Sequence, residues 1–376
     1  MRKNKKTLSD RPVLIDLFAG AGGLSIGLEQ AGFKLVAATD WDHWSCETLR
    51  ANHKGAFVAE GDINEVDLDD FAGKLSADEV DLIVGGPPCQ GFSALGKRSK
   101  SDPRNQLWRQ YMRFVEYFNP KVFLMENVPE LLKSEEYAQI KKTAEKLGYQ
   151  VKEKILFAPD YGVPQKRKRA IILGSRIGEP KFPNPTHALP GQMTLDNYNC
   201  APWKNVRDAI SDLPLDPDGN NWHVGRNPTK KSLKRYKSVP PGGNRFNLPQ
   251  DLMPECWKRK KTGSTDVFGR LEWDKPSLTV RTEFFKPEKG RYLHPEAHRP
   301  ITIREAARLQ TIPDSYILKG SHLEVAKQIG NAVPCELARN IGEELLKLFN
   351  ADSDSVQDKR VYGSTGFEGL LAYQQP

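Results

Sequence analysis

Cys89 stands in the run Gly85-Gly86-Pro87-Pro88-Cys89-Gln90-Gly91-Phe92-Ser93, directly after the largely apolar stretch Val80 to Val84. A thiol at the carboxyl end of a buried strand, in a loop stiffened by two prolines and freed by glycines, is held in place yet open to a ligand. Such a setting reads as a nucleophile, although a lone cysteine more often only packs. Cys46, Cys200, Cys256 and Cys335 are scattered singly with no C-x-x-C pair, which suggests neither a zinc site nor a disulfide framework. A zinc deaminase would need cysteine where Phe92 stands and a His-x-Glu upstream, and the sequence has neither.

The elements that must hold this loop alternate short apolar runs with helical patterns, the signature of an α/β, doubly wound, mostly parallel sheet. Expected strands are Val13 to Leu17, Leu35 to Thr39, Phe57 to Ala59, Val80 to Val84, Val122 to Met125, Val151 to Phe157 and Ala170 to Leu173. Leu24 to Ala31 and Tyr137 to Leu147 read as helices closed by Gly32 and Gly148. Ligands of such sheets lie beyond the carboxyl ends of the strands. There the sequence places the glycine turn Phe18-Ala19-Gly20-Ala21-Gly22-Gly23, then Asp40-Trp41, then Asp62. A carboxylate can hold ribose hydroxyls, an indole can stack on adenine and a second acid can accept from an exocyclic amine, so together they describe an adenosine pocket. Ser25 occupies the place of the third glycine in a dinucleotide fingerprint, which disfavours NAD.

From about Pro180 the texture changes. Twelve of the 27 prolines fall between residues 180 and 254, so irregular, loop-rich structure is expected there. Order returns at Thr302-Ile303-Arg304-Glu305, a capping box opening a helix to Gln310. A last helix from Cys335 to Phe349 is expected before a polar, disordered tail. The net charge of +8 is concentrated: residues 223 to 261 carry eleven Lys or Arg against Asp251 and Glu255, leaving the rest of the chain near neutrality. Trp222, Tyr236, Phe246 and Trp257 lie within or beside this run, and basic residues interleaved with aromatics suit a nucleic acid. No stretch approaches the ~20 apolar residues of a membrane span, and unpaired cysteines without an export signal suggest the cytoplasm. A monomer is the default expectation.

Further motifs follow in order: Glu126-Asn127-Val128-Pro129-Glu130 after the fifth strand, Gln165-Lys166-Arg167-Lys168-Arg169 entering the last, and Gln328-Ile329-Gly330-Asn331-Ala332-Val333-Pro334 near the end. With the Phe18 and Cys89 runs, this ordered set resembles the DNA (cytosine-5) methyltransferase family over roughly residues 12 to 349. The resemblance implies a Rossmann-like methyltransferase fold in which residues 1–176 and 291–349 form the catalytic part, 177–290 a smaller irregular target recognition domain and 350–376 the tail. It implies S-adenosyl-L-methionine as cofactor, no metal, and S-adenosyl-L-homocysteine as product. The implied cofactor residues are Phe18, Gly20, Gly22, Gly23, Leu24, Asp40, Trp41, Asp62, Ile63, Pro87 and Leu107, closed by Asn331, Ala332 and Val333. In place of a second proline found in many members after this last motif, the chain has Cys335.

The same resemblance implies methyl transfer to carbon 5 of a flipped-out cytosine in a specific duplex DNA sequence. Carbon 5 is a poor nucleophile, and a Cys89 thiolate added at carbon 6 makes the ring an enamine able to take the methyl group. Glu126 is assigned to ring nitrogen 3 and the exocyclic amine and Arg169 to the carbonyl oxygen, while Arg167 and Gln165 position the loop or a backbone phosphate. Gln90, Ser93, Lys97 and Arg98 follow Cys89 in the expected closing loop. Arg226, Lys230, Lys231, Arg245, Lys258, Arg259, Lys260 and Lys261 are the expected DNA contacts of the basic run. The implied context is a prokaryotic restriction-modification system with a cognate endonuclease acting independently. Transfer RNA as substrate, or a catalytically silent DNA-binding protein, remain the alternatives.

Overall fold

The computed structural model describes residues 11–88, 106–189, 191, 199–259 and 262–364, side chains of 354–364 excepted. Seven strands make one sheet: β1 (Val13–Leu17), β2 (Lys34–Asp40), β3 (Phe57–Glu60), β4 (Leu82–Gly85), β5 (Val122–Asn127), β6 (Gln150–Phe157) and β7 (Lys168–Ser175). Their order is β3-β2-β1-β4-β5-β7-β6, parallel from β3 through β5, with β7 antiparallel to both its neighbours. The central strands are largely buried, mostly apolar runs, as a sheet covered on both faces requires. Strand order reverses between β1 and β4, so the switch point lies where the Phe18 and Cys89 runs leave the sheet.

Two strand boundaries differ from expectation with a consequence for the site. Glu126 pairs with Ile171 and Asn127 with Ala170 in the antiparallel ladder, so β5 carries the carboxylate inside the strand instead of just beyond it. Arg169 likewise lies within β7, opposite Leu156 of β6. Pairing on both sides draws polar ends into the ladder that an apolar run alone does not mark.

Helices cover both faces: α1 (Gly23–Ala31), α2 (His43–Asn52), α3 (Leu68–Gly73), α4 (Trp108–Phe118) and α5 (Glu135–Lys146). Leu14, Leu82 and Leu124 pack with Leu24 and Leu28 of α1 on one face, and Ile15, Ile83 and Phe123 with Tyr111 and Phe114 of α4 on the other. α2 opens on a cap, the Asp42 carboxylate accepting from the Ser45 amide at 2.8 Å. After residues 177–290, which carry α6 (Val206–Ile210), α7 (Lys230–Lys237) and α8 (Glu255–Lys258), come α9 (Ile303–Leu309), α10 (His322–Asn331) and α11 (Cys335–Ser364). The capping box forms as expected, Thr302 Oγ1 accepting from the Glu305 amide and Glu305 Oε2 from the Thr302 amide. The last helix does not stop at Phe349: residues 350–362 contain no glycine or proline to break it.

The chain between 177 and 290 does not form one independent core. Val206, Ile210, Leu271, Val280, Phe284 and Phe285 pack with Ile303, Ala307 and Ile329 of the returning segment and with Ile26 of α1. A separate small cluster joins Tyr236, Val239, Leu248, Phe268 and Leu293. Beside it lies Arg270, 2% exposed, donating to the carbonyls of Val239 (2.6 Å), Tyr236 (2.6 Å), His294 (2.5 Å) and Ala297 (2.9 Å).

Candidate active site

At the carboxyl end of β5 the buried Glu126 meets Arg169 of the adjacent strand, Oε1 lying 2.5 Å from Nε. The other carboxylate oxygen faces the Gly86 backbone so closely that a Cβ there would sit 2.9 Å from it. Glycine therefore lets the Pro87–Pro88 run leave β4 directly against the carboxylate. Asn127 secures the same run, its Nδ2 donating to the Pro87 carbonyl at 2.8 Å. Cys89, Gln90, Ser93, Lys97 and Arg98 lie outside the described residues. Pro88, the residue before the thiol, leaves a loop thus anchored to the Glu126 strand. Two of the remaining cysteines are poor nucleophile candidates, since burial pushes the Cys46 thiol up to about 12 and raises that of Cys335 as well.

Gln165 and Arg167 both lie inward, against the segments that return to the sheet. Gln165 is fully buried, donating to the Leu309 carbonyl (3.2 Å) and Gln310 Oε1 (2.9 Å) and accepting from the Val280 amide (2.8 Å). Arg167, also buried, donates to the carbonyls of Val280 and Gly330, both at 3.2 Å. Burial, with the nearby Arg169 charge, pushes the Arg167 pKa down. Neither side chain is placed to meet a phosphate. Both pin the returning segments to the entrance of β7, a role their alternation with Arg169 along a strand end could have revealed.

The glycine turn lies beyond β1. Phe18, Gly20 and Gly22 take left-handed φ values of 56°, 54° and 78°, and nothing stands within 4 Å of where a Gly20 Cβ would point, so the backbone there is open to a ligand. Asp40 holds the turn, accepting from the Gly20 amide (2.7 Å) and the Asp42 amide (2.9 Å), and burial raises its pKa. Beside it the Trp41 indole is 80% exposed, the most exposed large apolar side chain among the described residues. Asp62 accepts two bonds from Asn64 on Oδ1 and precedes buried Ile63. At Gly23, a Cβ would approach the Val333 carbonyl to 2.3 Å, so the start of α1 and the Asn331–Val333 segment touch backbone to backbone. Ala332 and Val333 are buried and Asn331 is exposed. Leu24 is buried in the sheet core, and half-buried Leu107 caps α4. The sequence reading missed Asp16. It is buried in β1, accepts from Ser25 Oγ at 2.5 Å and has no partner for Oδ1 among the described residues, and burial pushes its pKa up to about 7. Ser25, used to disfavour NAD, thus serves this acid, and the signal was an aspartate inside an apolar strand.

The basic run divides. Lys230, Lys231, Lys258 and Arg259 are exposed, Lys258 pairing with Glu255 at 2.6 Å. Arg226 is exposed but donates to the Phe285 carbonyl at 3.2 Å. Arg245, expected at DNA, is instead buried, its guanidinium donating to the Thr262 carbonyl at 2.9 Å. Lys260 and Lys261 lie outside the described residues. Among the described residues no group of three His, Cys, Asp or Glu could hold a metal, and no helix is long and apolar enough to cross a membrane.

A parallel sheet with one reversed strand, an open glycine turn followed by an acid and an exposed indole, and a carboxylate–guanidinium pair beside the Gly86–Pro88 run match what is expected of a methyltransferase of the doubly wound class. The family model of C-5 cytosine-specific DNA methylases matches residues 13–347, and the chain belongs to that family. It is 36% identical over 345 residues to the type II methyltransferase M1.HphI of Haemophilus parahaemolyticus, covering 89% of this chain and 86% of that one. It is 38% identical over 349 residues to the type II methyltransferase M.PspPI of Psychrobacter sp. (strain TA137), covering 90% and 80%. A solved, prophage-encoded E. coli protein assigned as a DNA modification methyltransferase superposes with a TM-score of 0.67 at 27% identity, covering 90% and 99%. The chain is thus an enzyme that transfers a methyl group to carbon 5 of cytosine in DNA.

Proposed function

We propose that the enzyme modifies one cytosine within a specific duplex sequence, as the modification partner of an independently acting restriction endonuclease, with Cys89 as nucleophile and the Glu126–Arg169 pair as its base-binding charges. The observation that carries the site assignment is that pair at the sheet edge, against the loop that leads to Cys89. The open turn at Gly20, the exposed Trp41 and the acids Asp40 and Asp62 fit an adenosyl group, with Phe18, Leu24, Ile63, Pro87, Leu107 and Asn331–Val333 bounding it. S-adenosylmethionine bound there supplies the electrophilic methyl group and a positive charge near the thiol.

Reaching both faces of a stacked base requires flipping it out, at a cost of a few kcal/mol. The Cys89 sulfur forms a bond to carbon 6, which pushes electron density toward ring nitrogen 3 and the carbonyl oxygen. Glu126 holds a proton at nitrogen 3 and accepts from the exocyclic amine, and Arg169 meets the carbonyl oxygen. Breaking the Glu126–Arg169 contact to admit the base exchanges one charge-assisted bond for others, so the pair is pre-positioned without a large reorganisation. Carbon 5 takes the methyl group that the cofactor would supply, the methyl–sulfur bond breaking to leave S-adenosyl-L-homocysteine. Loss of the carbon 5 proton to a base or water then breaks the bond from carbon 6 to sulfur and expels the Cys89 thiolate. Exposed Lys230, Lys231, Lys258 and Arg259 meet phosphates from the recognition region. The retained Glu126–Arg169 pair counts against a silent binder.

Replacing the carbon 5 hydrogen by fluorine removes the final step, because fluorine cannot leave as a cation. A 5-fluorocytosine duplex with S-adenosylmethionine should give a stable adduct whose peptide mass maps to Cys89, absent in Cys89→Ser. An adduct on another residue, or none with a methylated site sequence, would reject Cys89.

A further inference from the structure

Beneath the glycine turn runs a buried polar chain that the reaction does not use. Glu29 Oε2 on α1 lies 2.8 Å from His53 Nδ1, just past α2, and His53 Nε2 lies 3.1 Å from the hydroxyl of Tyr316, which arrives from the segment between α9 and α10. The Tyr316 hydroxyl lies 2.8 Å from the carbonyl oxygen of Ala21, inside the turn. A Cβ at Gly22 would meet Tyr316 Oη at 2.8 Å and His53 Nε2 at 3.4 Å, so the end of the chain is pressed against the turn's own backbone. His53 and Tyr316 are both buried. Elements distant in sequence therefore converge on one main-chain carbonyl of the turn.

The hydrogens can be counted. A carbonyl only accepts, so the single phenolic hydrogen goes to Ala21. The Tyr316–His53 contact then needs a hydrogen on Nε2, and the half-exposed Glu29 carboxylate needs one on Nδ1. With only one ring hydrogen, either the Ala21 carbonyl loses its donor or two acceptors face each other. The charged groups around the imidazole are Glu29 from α1 and the Asp16 carboxyl from β1, and Asp16 spends one oxygen on Ser25. Glu29 is therefore the group that fixes the imidazole in place against Tyr316.

We infer that His53 and Tyr316 are positioning residues for the cofactor: the Glu29-held imidazole directs the Tyr316 hydroxyl onto the Ala21 carbonyl and so fixes the turn on which the cofactor rests. The inference depends on residues 18–24 being the cofactor turn. It also gives the returning segment a part in cofactor binding through Tyr316, besides the backbone contact between Val333 and Gly23.

The test uses S-adenosylhomocysteine binding by calorimetry, initial rates with S-adenosylmethionine and thermal melting, all on the full chain. Tyr316→Phe removes only the hydroxyl and should bind S-adenosylhomocysteine about three- to tenfold more weakly, with KM for S-adenosylmethionine raised alike and kcat at saturation unchanged. Glu29→Leu should reproduce that loss. Glu29→Gln should stay within about twofold of the parent, since its amide can donate to Nδ1 and leave the Nε2 hydrogen in place. Unchanged binding in Tyr316→Phe would overturn the inference. So would a loss in kcat rather than KM, or an equal loss in Glu29→Gln and Glu29→Leu, which would mark a merely structural contact. Failure of the parent protein itself to bind S-adenosylhomocysteine would instead remove the cofactor reading, and the inference with it.

Discussion

At the sheet edge Glu126 and Arg169 sit on adjacent strands and answer each other's charge, whereas between residues 240 and 297 the inward arginines Arg245, Arg270 and Arg291 form no ion pair among the described residues and donate to main-chain carbonyls. The sheet has its own hydrogen-bond ladder, so its charged groups are left over for chemistry. Residues 240–297 have few ladders and a small apolar cluster, and guanidinium groups take the place of secondary structure in satisfying buried carbonyls. Lysines, with compact and strongly hydrated charges, stay outside. The local charge of the basic run therefore overstates what is exposed to solvent.

The largest effect should come from the catalytic side. Glu126→Gln should lower methyl transfer about 10²- to 10⁴-fold while DNA affinity stays within about threefold, and an effect confined to affinity would make the residue structural. On the recognition side, Arg270→Met leaves several buried carbonyls without a donor and should cost about 3–5 kcal/mol in chemical denaturation, with DNA binding lost alongside. A melt indistinguishable from the parent would refute the guanidinium-strut account. Sharper still is the contrast within the basic run. Combined Lys230→Ala, Lys231→Ala and Arg259→Ala should reduce the slope of log affinity against log salt by about 0.9 for each phosphate no longer neutralised, whereas Arg245→Ala should lower the melting temperature and leave the slope alone. Matching slopes in the two variants would erase the division between exposed lysines and buried arginines.

The smallest effect concerns Arg299, an inward arginine of the returning segment that pairs with the buried carboxylate of Glu305. Burial would push the Glu305 carboxyl up, but the two-pronged Arg299 contact, at 2.7 and 2.8 Å, holds it below the usual range. A depressed folded-state value stabilises the fold above the unfolded glutamate pKa of about 4.3, and that contribution is lost as pH falls through the folded value. Urea denaturation between pH 6 and pH 3 should therefore show a steeper acid decline in the parent than in Glu305→Gln. Parallel curves would assign the acid sensitivity elsewhere.

How far this could be read in advance follows from what each signal measures. Apolar runs located all seven strands because a doubly covered sheet demands them, and Thr302 with Glu305 announced its helix through local capping chemistry. The ends Glu126 and Arg169 were placed one step outside their strands because ladder pairing, not hydrophobicity, holds them. Arg245 was taken for a DNA contact, and Gln165 and Arg167 were left between positioning the loop and meeting a phosphate, because a polar side chain looks alike in sequence whether it meets a phosphate or a buried carbonyl. Asp16, His53 and Tyr316 escaped notice for a related reason: their partners are 9 and 263 residues away, a distance no local pattern encodes.

The central claim is tested most directly by incubating the protein with labelled S-adenosylmethionine and unmethylated duplex DNA, with transfer RNA in parallel, and sequencing the products after bisulfite treatment. The account predicts label in DNA alone, at carbon 5 of a cytosine in one short recurring sequence. Label in transfer RNA with none in DNA, or label spread over cytosines without sequence preference, would contradict it.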